Sequence, residues 1–265
     1  MGDSVWERPG LLLPFPNTIS QLPTTPFATM SHEPPITVFD LGRRDYASTL
    51  ALQRELLARV QADPAQGFLL LVEHDPPVIT LGRRGRAEDL LADRAAIAAA
   101  GIEVHSVTRG GQTTYHGPGQ LVAYPIVALR PLGRTLRQYV TGLEQAVIDT
   151  LRAVGVEGGR REGHVGVWAD GGKIAAIGVA VEKWVCWHGL AINVCPNLDH
   201  FGLIVPCGES GGAVTSIQQM RMSGNTPRQT TLEGATQACE DVIKSIKQIL
   251  PKCLAAVFNW RSLDW

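Results

Sequence analysis

The stretch at residues 165–194, VGVWADGGKIAAIGVAVEKWVCWHGLAINV, decides the fold class of this 265-residue chain. Its strand-like runs are rich in valine, isoleucine and alanine, and an Asp-Gly-Gly sequence at residues 170–172 separates two of them. An Asp-Gly pair between apolar runs is typical of the tight turns that join antiparallel strands. The stretch therefore predicts an antiparallel meander.

Strand and helix patterns alternate on both sides of this meander. Short apolar runs predict strands, and apolar residues three or four positions apart predict helices. The predicted strands are ITVF at 36–39, FLLLV at 68–72, PVITL at 77–81, IEVHSV at 102–107 and QLVAYPIV at 120–127. The predicted helices cover residues 45–63, 88–100, 135–155, and a last segment that begins with the capping-box pair Thr230 and Glu233. We expect an α/β (α+β) fold in which helices flank a mixed, largely antiparallel sheet.

The chain divides into three regions by composition. Residues 1–35 contain seven prolines and show neither a helical nor a strand period, which is typical of a flexible arm. Residues 36–250 carry the predicted helices and strands and are expected to form one folded domain. Residues 251–265 are expected to form a C-terminal tail.

Composition disfavours several classes of function. The chain is 45% hydrophobic and 18% charged, with a formal net charge of −1. Nucleic acid or an anionic membrane surface would favour a concentrated basic patch, so neither is expected as a partner. Arg83, Arg84 and Arg86 are a small basic cluster that could hold an acidic partner. Because no membrane span and no signal or transit peptide is recognisable, we expect a soluble, cytoplasmic protein.

Five cysteines, at positions 186, 195, 207, 239 and 253, include no CxxC pair. A disulfide framework is therefore not expected, and a reducing compartment is favoured. Cys239 lies on the apolar face of the predicted last helix, as a buried structural cysteine would. Cys207 lies in LIVPCGES between a proline and a glycine, which would leave its sulfur accessible. Cys207 is a candidate nucleophile, and a buried structural role is equally open.

The stretch RGGQTTYHGPGQ at residues 109–120 separates two predicted strands. Its glycines allow close approach of the backbone to a ligand, and Arg109, Gln112, Thr113, Tyr115 and His116 supply polar or aromatic contacts. The alternative is an ordinary glycine-rich turn, but twelve residues far exceed the length that a hairpin needs. The pattern of a phosphate-binding loop is absent. The stretch therefore predicts a wall of a substrate site.

A nucleophilic thiol needs a nearby base or cation. Lys173 opens the apolar run KIAAIGV and is one candidate, although a lysine at the start of a strand is usually solvated. His188 in WHGLAINV is a polar residue in an apolar run, for which a structural role is favoured. Cys186, His188 and Cys195 have the spacing of neither a zinc finger nor a zinc ribbon, so no metal site is expected.

Four motifs together resemble the lipoyl(octanoyl) transferase family, within the biotin and lipoate protein ligase superfamily. They are RGGQTTYHGPGQLVAYPI, GVWADGGKIAAIGV, HGLAINV and IVPCG, in the family's order, and the resemblance covers residues 36–250. It implies the ligase-like catalytic fold and transfer of an octanoyl group from octanoyl-acyl carrier protein to a lysine of lipoyl domains. The implied acceptors are the lipoyl domains of 2-oxoacid dehydrogenase complexes and the glycine cleavage H protein, and no ATP, metal or other cofactor is implied.

The resemblance also implies roles for individual residues. Cys207 would be the nucleophile that carries the acyl group as a thioester, and Lys173 would be its proton partner. The implied substrate-binding residues are Arg109, Gly110, Gly111, Gln112, Thr113, Thr114, Tyr115, His116, Ala176, Ile177, Gly178, Gly189, Leu190 and Ala191.

Two departures and three rival functions accompany the resemblance. Glu209 follows PCG where the family has an apolar residue, and CPNLDHF at 195–201 replaces a run of different sequence.

The rival functions are an ATP-dependent lipoate or biotin ligase of the same fold, a thioesterase that releases the acyl group to water, and a non-catalytic module that binds lipoylated domains. The IVPCG motif with Cys207 favours the transferase over the ligase.

Overall fold

The computed structural model of this protein describes residues 35–205, 213–223 and 232–262. Almost all of the proline-rich arm, which ends at Pro35, lies outside these residues. Cys207, Glu209 and Thr230 of the predicted helix cap also lie outside the described residues.

Two β-sheets form the framework of the described chain. The strands are β1 (Pro35–Arg44), β2 (Gly67–His74), β3 (Val78–Leu81), β4 (Glu103–Ser106), β5 (Thr113–His116), β6 (Gln120–Ala128), β7 (Gly159–Arg161), β8 (His164–Ala169), β9 (Gly172–Glu182), β10 (Val185–Asn193) and β11 (Arg261–Ser262). The larger sheet has the order β11-β1-β2-β6-β10-β9-β8-β7, and the smaller sheet has the order β4-β3-β5.

Most strand pairs are antiparallel. In the larger sheet β1 runs parallel to β2 and to β11, and the other neighbouring pairs are antiparallel. In the smaller sheet β3 is parallel to β4 and antiparallel to β5. The prediction of a mixed, largely antiparallel sheet is confirmed, and β8, β9 and β10 form the predicted meander.

The Asp-Gly turn between β8 and β9 has the backbone that its sequence predicts. Asp170 and Gly171 have φ angles of 46° and 77°, and a left-handed conformation at both central residues defines the hairpin turn that suits the twist of antiparallel strands. The turn between β9 and β10 has the same feature without a glycine, with φ angles of 47° at Lys183 and 68° at Trp184.

Five α-helices lie within the described residues: α1 (Tyr46–Ala62), α2 (Arg94–Ala99), α3 (Leu136–Ala153), α4 (Ile217–Ser223) and α5 (Leu232–Phe258). Two of them begin at caps that the sequence indicates. The Asp45 carboxylate accepts a hydrogen bond from the Ser48 amide, and the Thr135 hydroxyl accepts one from the Gln138 amide. None of the helices in the described ranges is long and apolar enough to cross a lipid bilayer.

The prediction of one helix over residues 88–100 is wrong. A short 3₁₀ turn at Ala87–Asp89 is followed by an extended segment before α2 begins. In this segment Leu90 forms a β-bridge with Ile204, far away in sequence. Pairing with a distant backbone segment replaces the bonds of a continuous helix, so a tertiary contact overrides the local helical pattern.

The prediction of a tail from residue 251 is also wrong. α5 continues through Pro251 to Phe258, and β11 then pairs with β1. Leu254 is fully buried, and Phe258 and Trp260 are almost fully buried. These side chains belong to the main hydrophobic core, so the folded domain extends beyond its predicted boundary.

Hydrophobic layers cover both faces of the larger sheet. Leu69 and Leu71 of β2 belong to the layer that includes the inner residues of α3 and α5. Leu70 and Val72 belong to the layer that includes the inner residues of α1. Because successive residues of a strand point to opposite faces, α1 lies on the opposite face from α3 and α5. The smaller sheet has a separate cluster with α2.

Cys195 and Cys239 form a disulfide that joins the chain after β10 to α5. The two residues are separated by 44 positions, and their Cα atoms are 6.1 Å apart. The sequence analysis expected no disulfide framework and did not anticipate this single pair, because only the fold brings the two distant segments together. Cys186 is buried and unpaired, and Cys253 is half-buried and unpaired.

We expect Leu254→Ala to lower the free energy of unfolding by about 2–5 kcal/mol, because it leaves a cavity in the main core. The matched control is Lys252→Ala, an exposed position on the same turn of α5, with an expected change within about 0.5 kcal/mol. Urea unfolding of both variants measures the difference. Equal effects would contradict the placement of residues 251–260 in the folded core.

Candidate active site

A cavity lies between the larger sheet and the smaller sheet. One wall consists of residues on the central strands β6, β9 and β10, among them Val122, Ala176 and Ala191. The other consists of β5, through Thr114 and His116, and the glycine-rich segment that precedes β5. The empty space enclosed by these walls, part of which is open to solvent, is about 490 Å³.

Three predicted segments converge on this cavity. The predicted substrate-binding residues that line it are Arg109, Gly110, Gly111, Gln112, Thr114, His116, Ala176, Ile177, Gly178, Gly189, Leu190 and Ala191. The antiparallel register of β9 and β10 places Ala176 opposite Ala191 and Gly178 opposite Gly189. That register explains why two motifs separated in sequence share one wall. The roles of these residues in substrate binding stay predictions.

Two residues predicted to bind substrate do not line the cavity. The Thr113 hydroxyl donates to an Asp89 carboxylate oxygen at 2.8 Å. The Tyr115 hydroxyl lies 2.9 Å from Nδ1 of His200, and its ring packs against Phe201. Successive residues of a strand point to opposite faces, so β5 turns Thr113 and Tyr115 away from the cavity that its other residues line.

Four further residues line the cavity that the sequence analysis did not assign to a substrate site. They are Tyr46, Val122, Tyr124 and His188. His188 carried a sequence signal, since it is polar within an apolar strand. No sequence signal marked Tyr46. This residue lies at the start of α1, and its side chain reaches the cavity only because α1 packs on β6 and β10.

Arg109 is a buried guanidinium beside the cavity, only 8% exposed. Its Nη2 donates to the Thr80 carbonyl at 2.7 Å and to the Thr80 hydroxyl at 2.8 Å, and its Nη1 donates to the Gly110 carbonyl at 3.1 Å. A buried charge must be hydrogen-bonded to be tolerated. These bonds attach the glycine-rich segment to β3.

The glycine-rich segment is held from both sides by backbone hydrogen bonds. The amides of Arg83 and Arg84 donate to the carbonyls of Arg109 and Gly111 at 3.0 and 3.1 Å. The amide of Gly110 donates to the carbonyl of Val179 on β9 at 2.8 Å. The segment is therefore a fixed wall of the cavity, and the exposed side chains of Arg83 and Arg84 project from the turn that supports it.

Three buried histidines are held neutral in this region: His116 and His188 line the cavity, and His74 lies behind Tyr124 and His116. Burial lowers the pKa of His74 from the ordinary 6.5 to about 4, and burial with the nearby His74 lowers that of His116 to about 3. Burial, with Arg109 and Arg54, lowers the pKa of His188 to about 3. No group of three or more His, Cys, Asp or Glu side chains in the described ranges could hold a metal ion.

Hydrogen bonds define the tautomer of His74. Its Nδ1 lies 3.2 Å from the Arg44 carbonyl, which can only accept, so Nδ1 carries the proton. Nε2 then accepts from the Tyr124 hydroxyl at 2.7 Å. Tyr124 lines the cavity, and its hydroxyl oxygen therefore offers a lone pair and no proton to a ligand.

The backbone at His188 is unusual for a residue with a side chain. Its φ angle is 58°, in the left-handed region that costs a non-glycine residue free energy of about 1–3 kcal/mol. Its ring stacks on Trp187 with centroids 4.0 Å apart, and Nε2 lies 3.3 Å from the Thr108 hydroxyl. This conformation places the ring at the cavity, where the regular strand alternation would not place it.

Lys173 lies at the start of β9, outside the residues that line the cavity. Its Nζ lies 4.7 Å from the centre of the Trp168 ring. Its backbone amide donates to the Ala213 carbonyl, and its carbonyl accepts from the Thr215 amide. Cys207 lies in the part of the chain between Val205 and Ala213 that is outside the described residues, so the predicted pairing of Lys173 with Cys207 stays a prediction.

The neutral histidines predict a pH-dependent stability. Since their pKa values are lower in the folded protein than the ordinary 6.5, the unfolded chain takes up more protons below pH 6.5. Their contribution is therefore complete above about pH 7 and is lost as the pH falls from 6.5 towards 4, by up to about 1.4 kcal/mol per pH unit for each ring.

Urea unfolding between pH 5 and pH 7.5 measures this dependence. We expect His74→Gln to reduce the slope of the unfolding free energy against pH by about one proton, because one neutral buried ring is removed. The same slope in the wild type and in His74→Gln would contradict the assignment.

Comparison with known proteins supports the resemblance found in the sequence. Residues 45–244 match the lipoyl protein ligase A/B catalytic domain family. An octanoyltransferase of Syntrophotalea carbinolica is 50% identical over 181 residues, which cover 68% of this chain and 82% of the relative. An octanoyltransferase of Solibacter usitatus is 52% identical over 168 residues, which cover 63% and 76%.

A solved structure supports the fold. The crystal structure of lipoate-protein ligase A bound with ATP has a TM-score of 0.64 at 15% identity, and the match covers 87% of this chain and 89% of that one. The predicted ligase-like catalytic fold is therefore confirmed, and the sequence matches carry the assignment further. The chain is an acyltransferase that belongs to the octanoyltransferase family, with the lipoyl protein ligase A/B catalytic domain.

Proposed function

We propose that this protein transfers the octanoyl group of octanoyl-acyl carrier protein to a lysine of lipoyl domains, through a thioester on Cys207. The observation that carries the proposal is the convergence of three predicted segments, at residues 109–116, 176–178 and 189–191, on a single cavity. Apolar residues of the cavity face such as Val122, Ala176 and Ala191 suit an acyl chain. Polar groups nearby suit the carbonyl end and the incoming amine.

The proposed chemistry needs neither ATP nor a metal ion. A thioester carbonyl is already activated, so attack by the Cys207 thiolate exchanges one thioester for another at little cost in free energy. The carrier thiol leaves with a proton. In the second half-reaction the lysine nitrogen attacks the acyl-cysteine, the C–S bond breaks, and formation of the amide makes the transfer favourable.

Lys173 is the proposed proton partner of Cys207. As an ammonium it would favour the thiolate by its charge, and as an amine it could take the thiol proton. The backbone bonds of Lys173 to Ala213 and Thr215 support this role, because they tie the start of β9 to residues that follow Cys207 in the sequence within eight positions. Glu209 would oppose thiolate formation if it faced the sulfur.

The proposed acceptors are the lipoyl domains of 2-oxoacid dehydrogenase complexes and the glycine cleavage H protein. The name of the matched family supports a lipoyl protein as the acceptor. The relatives named octanoyltransferase support octanoyl as the transferred group. An ATP-dependent ligase is the alternative, and its support is limited to structural similarity at 15% identity.

Intact mass after mixing the protein with octanoyl-carrier protein and no ATP tests the proposal. We expect an octanoyl adduct on the wild type that passes to an added lipoyl domain. The adduct should be absent in Cys207→Ala. In Lys173→Ala its formation should slow by about 10²–10⁴-fold, as loss of a general acid–base group predicts.

A different pattern would point to the ligase. If no adduct forms without ATP, while ATP and free octanoate lead to modification of the lipoyl domain, the transferase proposal fails. Cys253→Ala is the matched control for cysteine removal, because Cys253 lies on α5 on the opposite face of the larger sheet from the cavity. It should form the adduct as the wild type does.

The arginines beside the glycine-rich segment predict how the carrier protein docks. Arg83 and Arg84 are exposed on the turn whose amides support the cavity wall, so an acidic protein held there would present its acyl group at the cavity. We expect the double variant Arg83→Glu, Arg84→Glu to raise the apparent KM for octanoyl-carrier protein several-fold at low salt, with a smaller effect at high salt.

Two controls separate docking from chemistry. Arg137→Glu reverses an exposed charge on α3, which covers the other face of the larger sheet, and should leave KM unchanged. A small octanoyl thioester without a protein should react equally with the wild type and the double variant. Unchanged KM for the carrier protein in the double variant would count against docking at this turn.

A further inference from the structure

The ring of His116 is the most completely oriented polar group of the cavity. It is 7% exposed and lines the cavity from the end of β5. Nδ1 lies 2.7 Å from Oε1 of Gln120, four residues later in the chain. Which ring nitrogen carries the proton depends on whether this Gln120 atom is truly the amide oxygen.

A chain of hydrogen bonds settles the orientation of Gln120. The Asn193 side-chain amide donates through Nδ2 to the Thr215 carbonyl at 3.0 Å, which makes Oδ1 of Asn193 an acceptor. Gln120 donates through Nε2 to this Oδ1 at 2.8 Å and to the Tyr115 carbonyl at 3.2 Å. The other polar atom of the Gln120 side chain is therefore the oxygen Oε1. A carbonyl oxygen can only accept a hydrogen bond, so His116 must be the donor.

It follows that the proton of the neutral His116 ring is on Nδ1. Nε2 then carries a lone pair, and it has no hydrogen-bond partner among the residues that the structure describes. Burial, with His74 nearby, lowers the pKa of the ring to about 3, so the lone pair is available throughout the physiological range. His116 lines the cavity, so a ligand in the cavity that carries a hydrogen-bond donor can pair with this lone pair in place of water.

The substrates of the proposed reaction offer one reacting group that is an N–H donor. The acyl chain and the thioester carbonyl have no donor, whereas the acceptor lysine attacks as a neutral amine with N–H groups. An acceptor that is fixed in direction can align such an amine for attack on the carbonyl carbon.

We propose that Nε2 of His116 accepts an N–H of the attacking lysine amine and takes its proton as the C–N bond forms. This inference rests on the proposed function, because it assigns a group to the second half-reaction. The lysine nitrogen bonds to the thioester carbon, the C–S bond breaks, and Cys207 leaves as a thiolate. Nε2 then releases its proton and the thiolate takes one up, so the enzyme returns to its starting state with a thiol.

The low basicity of the free ring is compatible with this role. The attacking nitrogen becomes much more acidic as its bond to carbon forms. Negative charge develops at the same time on the carbonyl oxygen and on the leaving sulfur, and a nearby negative charge favours the protonated ring. The hydrogen bond from Nδ1 to Gln120 also favours the charged form.

Two substitutions separate the two nitrogens of the ring. In His116→Asn the amide can replace Nδ1 and its bond to Gln120, but nothing replaces Nε2. In His116→Gln the longer side chain can place an oxygen near the position of Nε2, which accepts a hydrogen bond and does not take a proton. The matched control is His105→Asn, on β4 of the same small sheet, whose ring pairs with Glu103 and does not line the cavity.

Single-turnover measurements of each half-reaction test the proposal. Intact mass gives the rate of acyl-enzyme formation from octanoyl-carrier protein, and then the rate of loss of the octanoyl group to an added lipoyl domain. We expect His116→Asn to transfer the acyl group about 10²-fold or more slowly than the wild type, and to slow acyl-enzyme formation much less, because that step loses only a contact in the cavity wall. His116→Gln should recover part of this loss, and His105→Asn should match the wild type in both steps.

Hydroxylamine provides a readout that a merely structural role would not change. It is largely unprotonated at neutral pH and attacks thioesters without assistance, so the octanoyl group of His116→Asn should pass to it as fast as that of the wild type. The contrast between hydroxylamine and the lipoyl lysine identifies a loss that is specific to activation of the amine.

The possible failures are distinguishable. If the wild type forms no acyl-enzyme, the proposed function itself is wrong. If the acyl-enzyme forms and His116→Asn transfers it as fast as the wild type, the function stands and the role of His116 is overturned. An equal loss in both half-reactions would also overturn it, because His116 would then act only as a wall of the cavity and not on the amine.

Discussion

The buried guanidinium of Arg109 is the interaction on which the site depends. It bonds to the backbone and hydroxyl of Thr80 and so joins the glycine-rich segment to the smaller sheet. It also requires small neighbours, since a Cβ atom at Gly82 would lie 2.7 Å from Nη1 of Arg109, and one at Gly178 would lie 3.1 Å from Cδ. Burial is the main cause of the lowered pKa of His188, and the positive charge of Arg109 lowers that pKa further, which keeps the ring neutral.

Hydrogen bonds within the protein engage the protons of two polar side chains that line the cavity. The Tyr124 hydroxyl donates a hydrogen bond to His74, and Nδ1 of His116 donates one to Gln120. The chain from Gln120 through Asn193 reaches Thr215, which bonds to the backbone of Lys173. One buried network thus connects the cavity to the start of β9, and such networks hold their members in a single arrangement when every bond is made.

Much of the fold was predictable, because local signals agreed with the tertiary structure. Asp45 and Thr135 cap the N-termini of α1 and α3, and such caps depend on residues close in sequence. The turn between β8 and β9 likewise depends on its two central residues, Asp170 and Gly171. The predictions failed where a distant segment decides the outcome. Leu90 forms a β-bridge with Ile204, where the sequence predicted a helix. Residues after 250 pack into the main hydrophobic core, where the sequence predicted a tail.

The sequence by itself determined the family and the segments that form the site, because long motifs with glycines at restricted positions tolerate few alternatives. Only the tertiary structure decided which side chains of those segments meet. Alternation along β5 turns Thr114 and His116 towards the cavity and Thr113 and Tyr115 away, and the left-handed backbone of His188 adds a residue that regular alternation would exclude. The direction of a side chain depends on strand register and packing, and these arise from contacts between residues that are far apart in the chain.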